Sequence, residues 1–382
     1  MTGEVLWPES LTTRERVEGR LARLLAGLPG SWLLRLIGEA PAVVEGSTLD
    51  PHVQFLLAAR RRRPPQLLVE PTPEAARRRY RREIQAIAES SGARPTRVRS
   101  VRNLQVPGGD GMLDARLYLP PLVDTDTPVP LLLFLHGGGF VLGDLDTHDE
   151  PCRILCTEAG IQVLNIAFRL APEHPFPAPL ADACAAMRWA QDHAASLGAD
   201  PGSVCIGGDS GGGNLAIGAS LALAREQRTP AAMLLVYPAT DFTADLPSRH
   251  TFGEGFLLTA ADMDAFATIY VAGDTTRWLD PRASPVRDPD LHLLPPTLVA
   301  TAEFDPLRDE AVAFTERLCA AGVDVRTRRA RGLPHAFMHL TTIAPAARVA
   351  AVETAHAFRA MLRETAVRRH RNVATTEARG RT

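Results

Sequence analysis

The chain has 382 residues, a formal net charge of −2 and 45% hydrophobic and 23% charged residues. This composition is ordinary for a globular enzyme built as one large domain with an added segment, or as two domains. The small net charge excludes a global electrostatic attraction to nucleic acid or to an anionic membrane. The most apolar early stretch, 24–38, is broken by Pro29 and Arg35 and is too short to span a bilayer.

The first residues and the cysteines suggest where the protein is located. Residues 1–10 contain two acidic residues and no basic n-region, so we expect no signal peptide. Five cysteines form no C-x-x-C pair, and no histidine pair completes a zinc-binding set. They are Cys152, Cys156, Cys184, Cys205 and Cys319. We expect buried free thiols in a reducing cytoplasm, and neither a metal nor another cofactor.

The first 95 residues are predicted to be helical and cationic. Apolar residues recur at helical spacing in 12–28 and 72–90, where Thr72 followed by Pro73 is a plausible helix start. Arginine clusters lie at 59–65 and 77–82. Because the overall charge balance is acidic, we interpret these clusters as solvated helix faces rather than as phosphate or nucleic-acid sites.

Eight runs of strand-forming residues follow, and helical patterns such as 179–198 and 309–322 separate most of them. The runs are 97–106, 111–120, 129–135, 161–168, 203–208, 231–238, 297–302 and 323–330. Continuous apolar strands that alternate with helices predict a mainly parallel sheet covered on both faces. In such a sheet, ligands bind beyond the carboxyl ends of the strands.

Two segments lie outside this alternation. Residues 241 to about 290 form a long excursion with a predicted helix near 260–272, which is typical of a lid or a cap. We expect the tail, 366–382, to be disordered. The intervening part, 96–365, is the predicted catalytic domain.

The stretch "GGDSGGGNLA" (207–216) carries the first candidate for catalysis. It follows a strand-like run and precedes a helical pattern at 214–226, so Ser210 would lie at the tip of a sharp turn. The residues Gly208 to Gly212 fit the G-x-S-x-G pattern of a nucleophile elbow. The pattern alone is weak, because many glycine-rich turns contain a serine.

A serine nucleophile needs a histidine that takes its proton and an acid that orients the histidine. His335 lies in a Gly-Pro loop directly after the last strand-like run, and His339 is predicted to lie inside the following helix. Four acidic residues follow the run 297–302, namely Glu303, Asp305, Asp309 and Glu310. Asp309 and Glu310 would begin the next helix, where acids favour the helix dipole. Asp305, before Pro306, is therefore the preferred acid, and the order serine, aspartate, histidine is that of α/β-hydrolases.

An oxyanion hole needs backbone N–H groups that approach the substrate closely, which favours glycine. The stretch "HGGGF" (136–140) supplies Gly137, Gly138 and Gly139 at the end of an early strand, and Gly211 adds a donor after the nucleophile. His136 could alternatively belong to a metal site.

These motifs together resemble the hormone-sensitive-lipase-like family of α/β-hydrolases, the bacterial family IV esterases. The similar stretches are "HGGGF" (136–140), "FRLAPEHPFPA" (168–178), "GDSGGGNLA" (208–216), "DPRASP" (280–285), "AEFDPLRDE" (302–310) and "HAF" (335–337). The resemblance implies an α/β-hydrolase fold with an eight-stranded, mainly parallel sheet and a helical cap formed by 1–95 and 241–280.

The resemblance also implies functions for single residues. Ser210 would be the nucleophile, Asp305 the acid and His335 the base, while Gly138, Gly139 and Gly211 would donate into the oxyanion hole. The chain departs from the family in having Gly211 where alanine is usual, Phe168 where tyrosine is common and Ala336 where glycine is commoner. We interpret Arg169 and Glu173 as a structural ion pair that braces the oxyanion loop.

The expected substrate is a small-molecule ester with a short to medium acyl chain. The alternatives are a non-catalytic small-molecule receptor on the same fold, an interfacial lipase, an amidase or an esterase dedicated to a secondary metabolite. A chymotrypsin-like protease is disfavoured because the candidate acid and histidine follow the serine. A dinucleotide-binding dehydrogenase is disfavoured because no acid suitably ends the strand after "GGGNLA" (211–216). We expect no nucleic-acid partner and no membrane insertion, and the sequence leaves open whether the chain forms a homodimer.

Overall fold

The structure is a computed structural model in which residues 11–13, 20, 24, 25, 27–62, 66–90, 94–121 and 128–379 are described, without the side chains of 90 and 370–379. The helix predicted over 12–28 therefore falls mostly outside the described residues.

An eight-stranded sheet organises the molecule. Its strands are β1 (Ser100–Pro107), β2 (Met112–Leu119), β3 (Val129–Leu135), β4 (Gln162–Ile166), β5 (Ala199–Asp209), β6 (Met233–Val236), β7 (Thr297–Phe304) and β8 (Val325–Pro334). The order across the sheet is β8-β7-β6-β5-β3-β4-β2-β1. Strand β2 pairs antiparallel with β1 and β4, and the other pairs are parallel. Each of the eight predicted runs is a strand of this sheet, so the predicted fold class is confirmed.

Helices cover both faces of the sheet. The helices used below are α1 (Gly30–Ile37), α2 (Pro51–Arg61), α3 (Pro73–Ser90), α4 (Asp149–Ala159), α5 (Ala178–His193), α6 (Gly211–Arg225), α7 (Pro247–Thr251), α8 (Ala260–Tyr270), α9 (Arg308–Ala320) and α10 (Pro345–Arg379). One apolar core joins the sheet to α5, α6 and α9, and a second joins it to α2, α4 and α10. Double coverage explains why β3 and β4 are buried along nearly their whole length.

The end of the chain differs from the expected disordered tail. Helix α10 continues to Arg379, through most of 366–382. Two arginines of this part are paired with the body of the protein. Arg368 lies 2.6 Å from Asp324, and Arg369 lies 3.0 Å from Asp200. These distant partners, which local composition does not reveal, favour a continued helix.

The described parts of the segments 1–95 and 241–280 meet beside the sheet. Helix α3 begins after Thr72, as predicted, and the Thr72 hydroxyl accepts a hydrogen bond from the Ala75 N–H at 3.3 Å. Helix α8 matches the helix predicted near 260–272 and begins with a capping box formed by Thr259 and Asp262. The Asp262 carboxylate also accepts the Leu68 N–H at 2.7 Å, which joins the two segments directly.

Two further expectations concern membrane-spanning helices and the cysteine thiols. In the described part of the chain, no helix combines the length and apolarity needed to cross a bilayer. All five cysteines are free, as predicted, and four are buried. Cys319 is exposed, so the expectation of a buried thiol is wrong there, because this residue lies near the end of α9 on its outer side.

Candidate active site

Ser210 lies at the tip of the turn between β5 and α6, where the sequence predicts a nucleophile elbow. Its backbone angles are φ 53° and ψ −121°, a conformation that residues with a side chain rarely adopt. The flanking glycines permit this sharp turn. A Cβ atom on Gly208 would lie 2.5 Å from Gly212, and one on Gly212 would lie 2.0 Å from the Leu135 carbonyl oxygen. Side chains at either position would therefore push the turn apart.

The structure brings Ser210, His335 and Asp305 into one hydrogen-bonded row. The Ser210 Oγ lies 3.0 Å from His335 Nε2, and His335 Nδ1 lies 2.8 Å from an Asp305 carboxylate oxygen. The other Asp305 oxygen accepts the Leu307 N–H at 2.8 Å, which fixes the carboxylate. Asp305 and His335 are buried, whereas Ser210 is half-buried. This arrangement can transfer a proton from the serine hydroxyl to the imidazole.

The other three candidate acids have different partners. Glu303 accepts hydrogen bonds from the Ser47 hydroxyl and the Gly332 N–H. Asp309 accepts the Ser248 N–H at 2.9 Å, and Glu310 accepts the Thr240 N–H at 2.6 Å. Asp309 and Glu310 lie in the first turn of α9, as predicted. Burial raises the pKa of Glu310 to about 8.

The loop after β8 differs in one respect from the sequence prediction. His339 lies in a short 3-10 turn, Phe337–His339, and not inside the following helix α10. The turn follows Ala336, which has φ 60°, and the chain changes direction there before α10 begins. A positive φ also explains why glycine would be the less strained residue at position 336.

The candidate oxyanion loop, residues 136–140, follows β3 and lies beside Ser210. Gly138 and Gly139 have φ values of 116° and 60°, and a Cβ on either would lie 2.3 Å from a neighbouring atom. Among the described residues, the N–H groups of Gly138 and Gly139 have no hydrogen-bond acceptor. The Gly211 N–H begins α6 and so has no acceptor within that helix. All three glycines line the same cavity as Ser210 and His335.

Asp209 supports this loop, a contact that the sequence analysis missed. Its carboxylate accepts the Gly137 N–H at 2.8 Å and the Tyr237 hydroxyl at 3.3 Å. Although burial opposes ionisation, His148 and the Gly137 N–H hold the pKa of Asp209 at about 2. Strands β3 and β5 are neighbours, with Leu135 opposite Gly208, so the residues that follow them meet. Only the strand order would have indicated the contact between Asp209 and Gly137, and a single sequence does not reveal strand order.

Two histidines beside the loop, the buried His136 and the half-buried His339, resist protonation. Burial and the neighbouring His148 lower the pKa of His136 to about 4 and that of His339 to about 3. His136 also stacks on Phe168 with ring centroids 4.3 Å apart. Phe168 thus contacts the oxyanion loop by stacking on His136, and this contact needs no hydroxyl group.

One group of described residues could contact a shared metal ion, namely His148, Asp209 and His339, whose ligand atoms lie within 4.8 Å of one another. The Gly137 N–H already donates to His148 Nε2 at 3.2 Å and to the Asp209 carboxylate at 2.8 Å, so two of the three candidate ligands are engaged in hydrogen bonds. We therefore assign no metal to this group. The alternative of a metal site through His136 has no further support, because its Nδ1 atom lies 2.9 Å from the Gly137 carbonyl oxygen.

The ion pair expected between Arg169 and Glu173 does not form. Arg169 pairs instead with Asp182 at 2.8 Å, whereas Glu173 pairs with Arg77 of helix α3 at 2.7 Å. The interpretation of 77–82 as a solvated face is also wrong in part, since Arg77, Arg79 and Arg81 each bind carbonyl or carboxylate groups. These partners lie in distant segments, so the local charge pattern did not indicate them.

A cavity of about 960 Å³ opens above Ser210. Both segments that meet beside the sheet contribute to its walls. Its apolar lining includes Leu33, Leu56, Ile84, Ile87, Met263, Phe266, Leu340 and Ile343. Such a size and lining are typical of a site for a small organic molecule.

Comparison with known proteins agrees with this fold. Residues 132–339 match a family model described as an alpha/beta hydrolase fold. The chain is 42% identical to carboxylic ester hydrolase LipN of Mycobacterium tuberculosis over 359 residues, which cover 91% of this chain and 93% of that protein. It is 39% identical to ethyl acetate hydrolase of Pseudomonas putida over 64% of this chain and 77% of that protein. The structure of an esterase from Pyrobaculum calidifontis superposes with a TM-score of 0.74 and 32% identity, covering 84% of this chain and 99% of that one.

The fold and the matches define the class of the protein. The chain belongs to the α/β-hydrolase family, in its hormone-sensitive-lipase-like branch.

Proposed function

We propose that this ester hydrolase cleaves short- to medium-chain acyl esters through Ser210, His335 and Asp305. The observation that carries the proposal is the hydrogen-bonded row of these three side chains, 3.0 and 2.8 Å, at the floor of an apolar cavity. Relatives named as carboxylic ester hydrolase and ethyl acetate hydrolase support the same reaction class.

Each side chain has a defined task in the proposed reaction. His335 Nε2 takes the proton from the Ser210 hydroxyl while the oxygen attacks the ester carbonyl carbon. The protonated His335 then gives this proton to the leaving alcohol, and an acyl-enzyme remains on Ser210. A water molecule, deprotonated by His335 in turn, releases the acid. Asp305 holds the imidazole in the required tautomer and stabilises its charged form.

The negative charge that develops on the carbonyl oxygen needs hydrogen-bond donors. In the proposal, the N–H groups of Gly138, Gly139 and Gly211 donate to this oxyanion. Two of these groups have no acceptor among the described residues, so they are available without breaking an existing hydrogen bond. Preorganised donors of this kind account for a large part of catalysis in acyl transfer.

We interpret the segments 1–95 and 241–280 as a cap that bounds the acyl pocket. Each methylene of an acyl chain gains about 0.8 kcal/mol while it finds buried apolar surface. Beyond the pocket wall it remains in water or forces strain. A volume of 960 Å³ is near the upper end of the usual range, about 300–1,000 Å³, and admits chains of medium length.

The decisive test is Ser210→Ala. We expect this change to abolish hydrolysis of p-nitrophenyl acetate and butyrate, because loss of a nucleophile costs several orders of magnitude in rate. The far-UV signal and the melting temperature should stay nearly unchanged, since Ser210 is half-buried and small. Retention of more than a few per cent of the activity would refute the role of Ser210.

The same assay separates an enzyme from a receptor. An esterase releases a burst of p-nitrophenol and continues to turn over, whereas a non-catalytic receptor binds the ester without release. The presence of His335 within 3.0 Å of Ser210 favours the enzyme.

An interfacial lipase is the second candidate. Helix α1 exposes Trp32 at 58% and Leu36 at 61%, and its Leu33 lines the cavity. An apolar surface next to a substrate cavity is what a lipase would need at an oil–water interface. Activity measured across the solubility limit of the substrate distinguishes the two candidates.

A further inference from the structure

Helix α3 contacts the loops around the active site through Arg77. Its guanidinium group donates to the carbonyl oxygens of Val141 and Ala171, each at 2.7 Å. The same group forms two hydrogen bonds with the Glu173 carboxylate, at 2.8 and 2.7 Å. These hydrogen bonds hold the pKa of Glu173 below its usual value. Such a bidentate pair fixes the plane of the guanidinium group and therefore its direction toward the two carbonyl groups.

Both carbonyl groups belong to residues that are hydrogen-bonded to the oxyanion loop. The Val141 N–H donates to the Gly138 carbonyl oxygen at 3.1 Å. The Ala171 N–H donates to the Phe140 carbonyl oxygen at 2.9 Å. Arg77 is therefore connected to the oxyanion loop through Val141 and Ala171, which lie on two different segments.

Arg81, one helical turn later, reaches the other end of the same loop. Its guanidinium group lies 2.6 Å from Asp144, whose second carboxylate oxygen accepts the Thr147 N–H at 2.8 Å. The Thr147 hydroxyl lies 3.0 Å from His148 Nδ1, and His148 Nε2 accepts the Gly137 N–H at 3.2 Å. A continuous set of contacts thus joins α3 to the first glycine of the oxyanion loop.

We propose that Arg77 and Arg81 are positioning residues that hold the oxyanion loop in its catalytic conformation. This inference rests on the proposed esterase function. Three consecutive glycines give the loop great conformational freedom, so its geometry has to be imposed by neighbours. Donors must lie within about 0.5 Å of the productive geometry to stabilise a transition state. Helix α3 thereby couples the cap to catalysis and does more than cover the substrate.

Arg77→Gln and Arg81→Gln test this role, with Arg78→Gln as the matched control. Arg78 lies on the same helix, is exposed and does not line the cavity. Full loss of one oxyanion donor costs about 100- to 1,000-fold in kcat, so a displaced loop should cost roughly tenfold. We expect this loss for p-nitrophenyl acetate and hexanoate alike, with KM within about twofold, and no effect of Arg78→Gln.

A transition-state analogue provides a readout that a purely structural role would not change. A trifluoromethyl ketone that adds to Ser210 should bind to the Arg77 and Arg81 variants more weakly by the same factor as the loss in kcat/KM. Arg77→Lys keeps the charge opposite Glu173 but cannot reach both carbonyl groups, so it should recover part of the rate. If Arg77→Gln fails to fold, Glu173→Gln, which leaves Arg77 in place, should show a smaller loss in the same direction.

Two results would overturn the inference. One is a KM that rises with acyl length while kcat stays constant, because the arginines would then only anchor the cap. The other is equal activity of the Arg77, Arg81 and Arg78 variants. Neither result affects the proposed function, which fails separately if Ser210→Ala retains activity.

Discussion

At the scale of one residue, the position of Asp305 is the reason for its proposed role as the acid. It is buried, and its two carboxylate oxygens bind His335 and the Leu307 N–H. We predict that Asp305→Asn lowers kcat by about 10⁴-fold with little change in substrate binding, because asparagine would hold His335 in the wrong tautomer. Steady-state kinetics with a p-nitrophenyl ester measures this effect.

Glu303→Gln is the matched control for Asp305→Asn. Glu303 lies two residues earlier and binds the Ser47 hydroxyl and the Gly332 N–H rather than the histidine. A glutamine there retains an acceptor, so we expect a loss of less than about tenfold, as for a substitution away from the reacting groups. A crippled Glu303→Gln variant together with an active Asp305→Asn variant would assign the acid to Glu303.

The group formed by His148, Asp209 and His339 tests the expectation that no metal is required. The Gly137 N–H already donates to both His148 and Asp209, so we predict that EDTA leaves ester hydrolysis unchanged. The measurement is the initial rate after prolonged incubation with the chelator and dialysis. Inactivation that added zinc reverses would show that this group binds a catalytic or structural ion.

At the scale of elements, Asp262 joins the two segments of the proposed cap. It completes the capping box of α8 with Thr259 and also accepts the Leu68 N–H from the segment before α3. We predict that Asp262→Ala lowers the free energy of unfolding by about 2–3 kcal/mol, because it removes one half of the capping box and leaves the N–H groups of Leu68 and Thr259 without their acceptor. Chemical denaturation measures the change.

The control for this element is Asp264→Ala on the same helix. Asp264 is more than half exposed and forms a surface ion pair with Arg249. Such pairs contribute about 0–1 kcal/mol, so a much smaller loss of stability is expected. Equal effects of the two substitutions would show that Asp262 does not join the segments in solution.

At the scale of the whole molecule, we propose that the cavity limits the acyl length of the substrate. We predict that kcat/KM along a series of p-nitrophenyl esters rises to a short or medium acyl length and then falls, because the apolar walls end. We also expect no jump in rate when the substrate passes its solubility limit. A rate that keeps rising to long chains, or a jump at that limit, would favour the interfacial lipase and give a role to exposed Trp32 and Leu36.

The sequence by itself determined the sheet, the elbow and the order of the candidate catalytic residues. Buried parallel strands leave continuous apolar runs, and sharp turns beside a nucleophile require glycine, so both leave local signals. Local signals also favoured Asp305 among the candidate acids. Asp305 precedes a proline in a loop, whereas Asp309 and Glu310 lie at a predicted helix start. The structure places Asp305 against His335, as the sequence predicted.

Only the tertiary structure decided which charged groups meet. Arg77 and Glu173 are 96 residues apart, and Arg81 and Asp144 are 63 residues apart, so no local pattern relates them. The local pattern consequently predicts an ion pair between Arg169 and Glu173 and a solvated face for the arginines of α3, and both predictions differ from the structure. The sequence does not show whether an arginine side chain faces water or binds two carbonyl groups. The environment of Arg77 arises only when helix α3 packs beside the oxyanion loop. For this protein, local backbone requirements can be predicted from the sequence. The long-range polar contacts that support the site depend on the packing of distant segments.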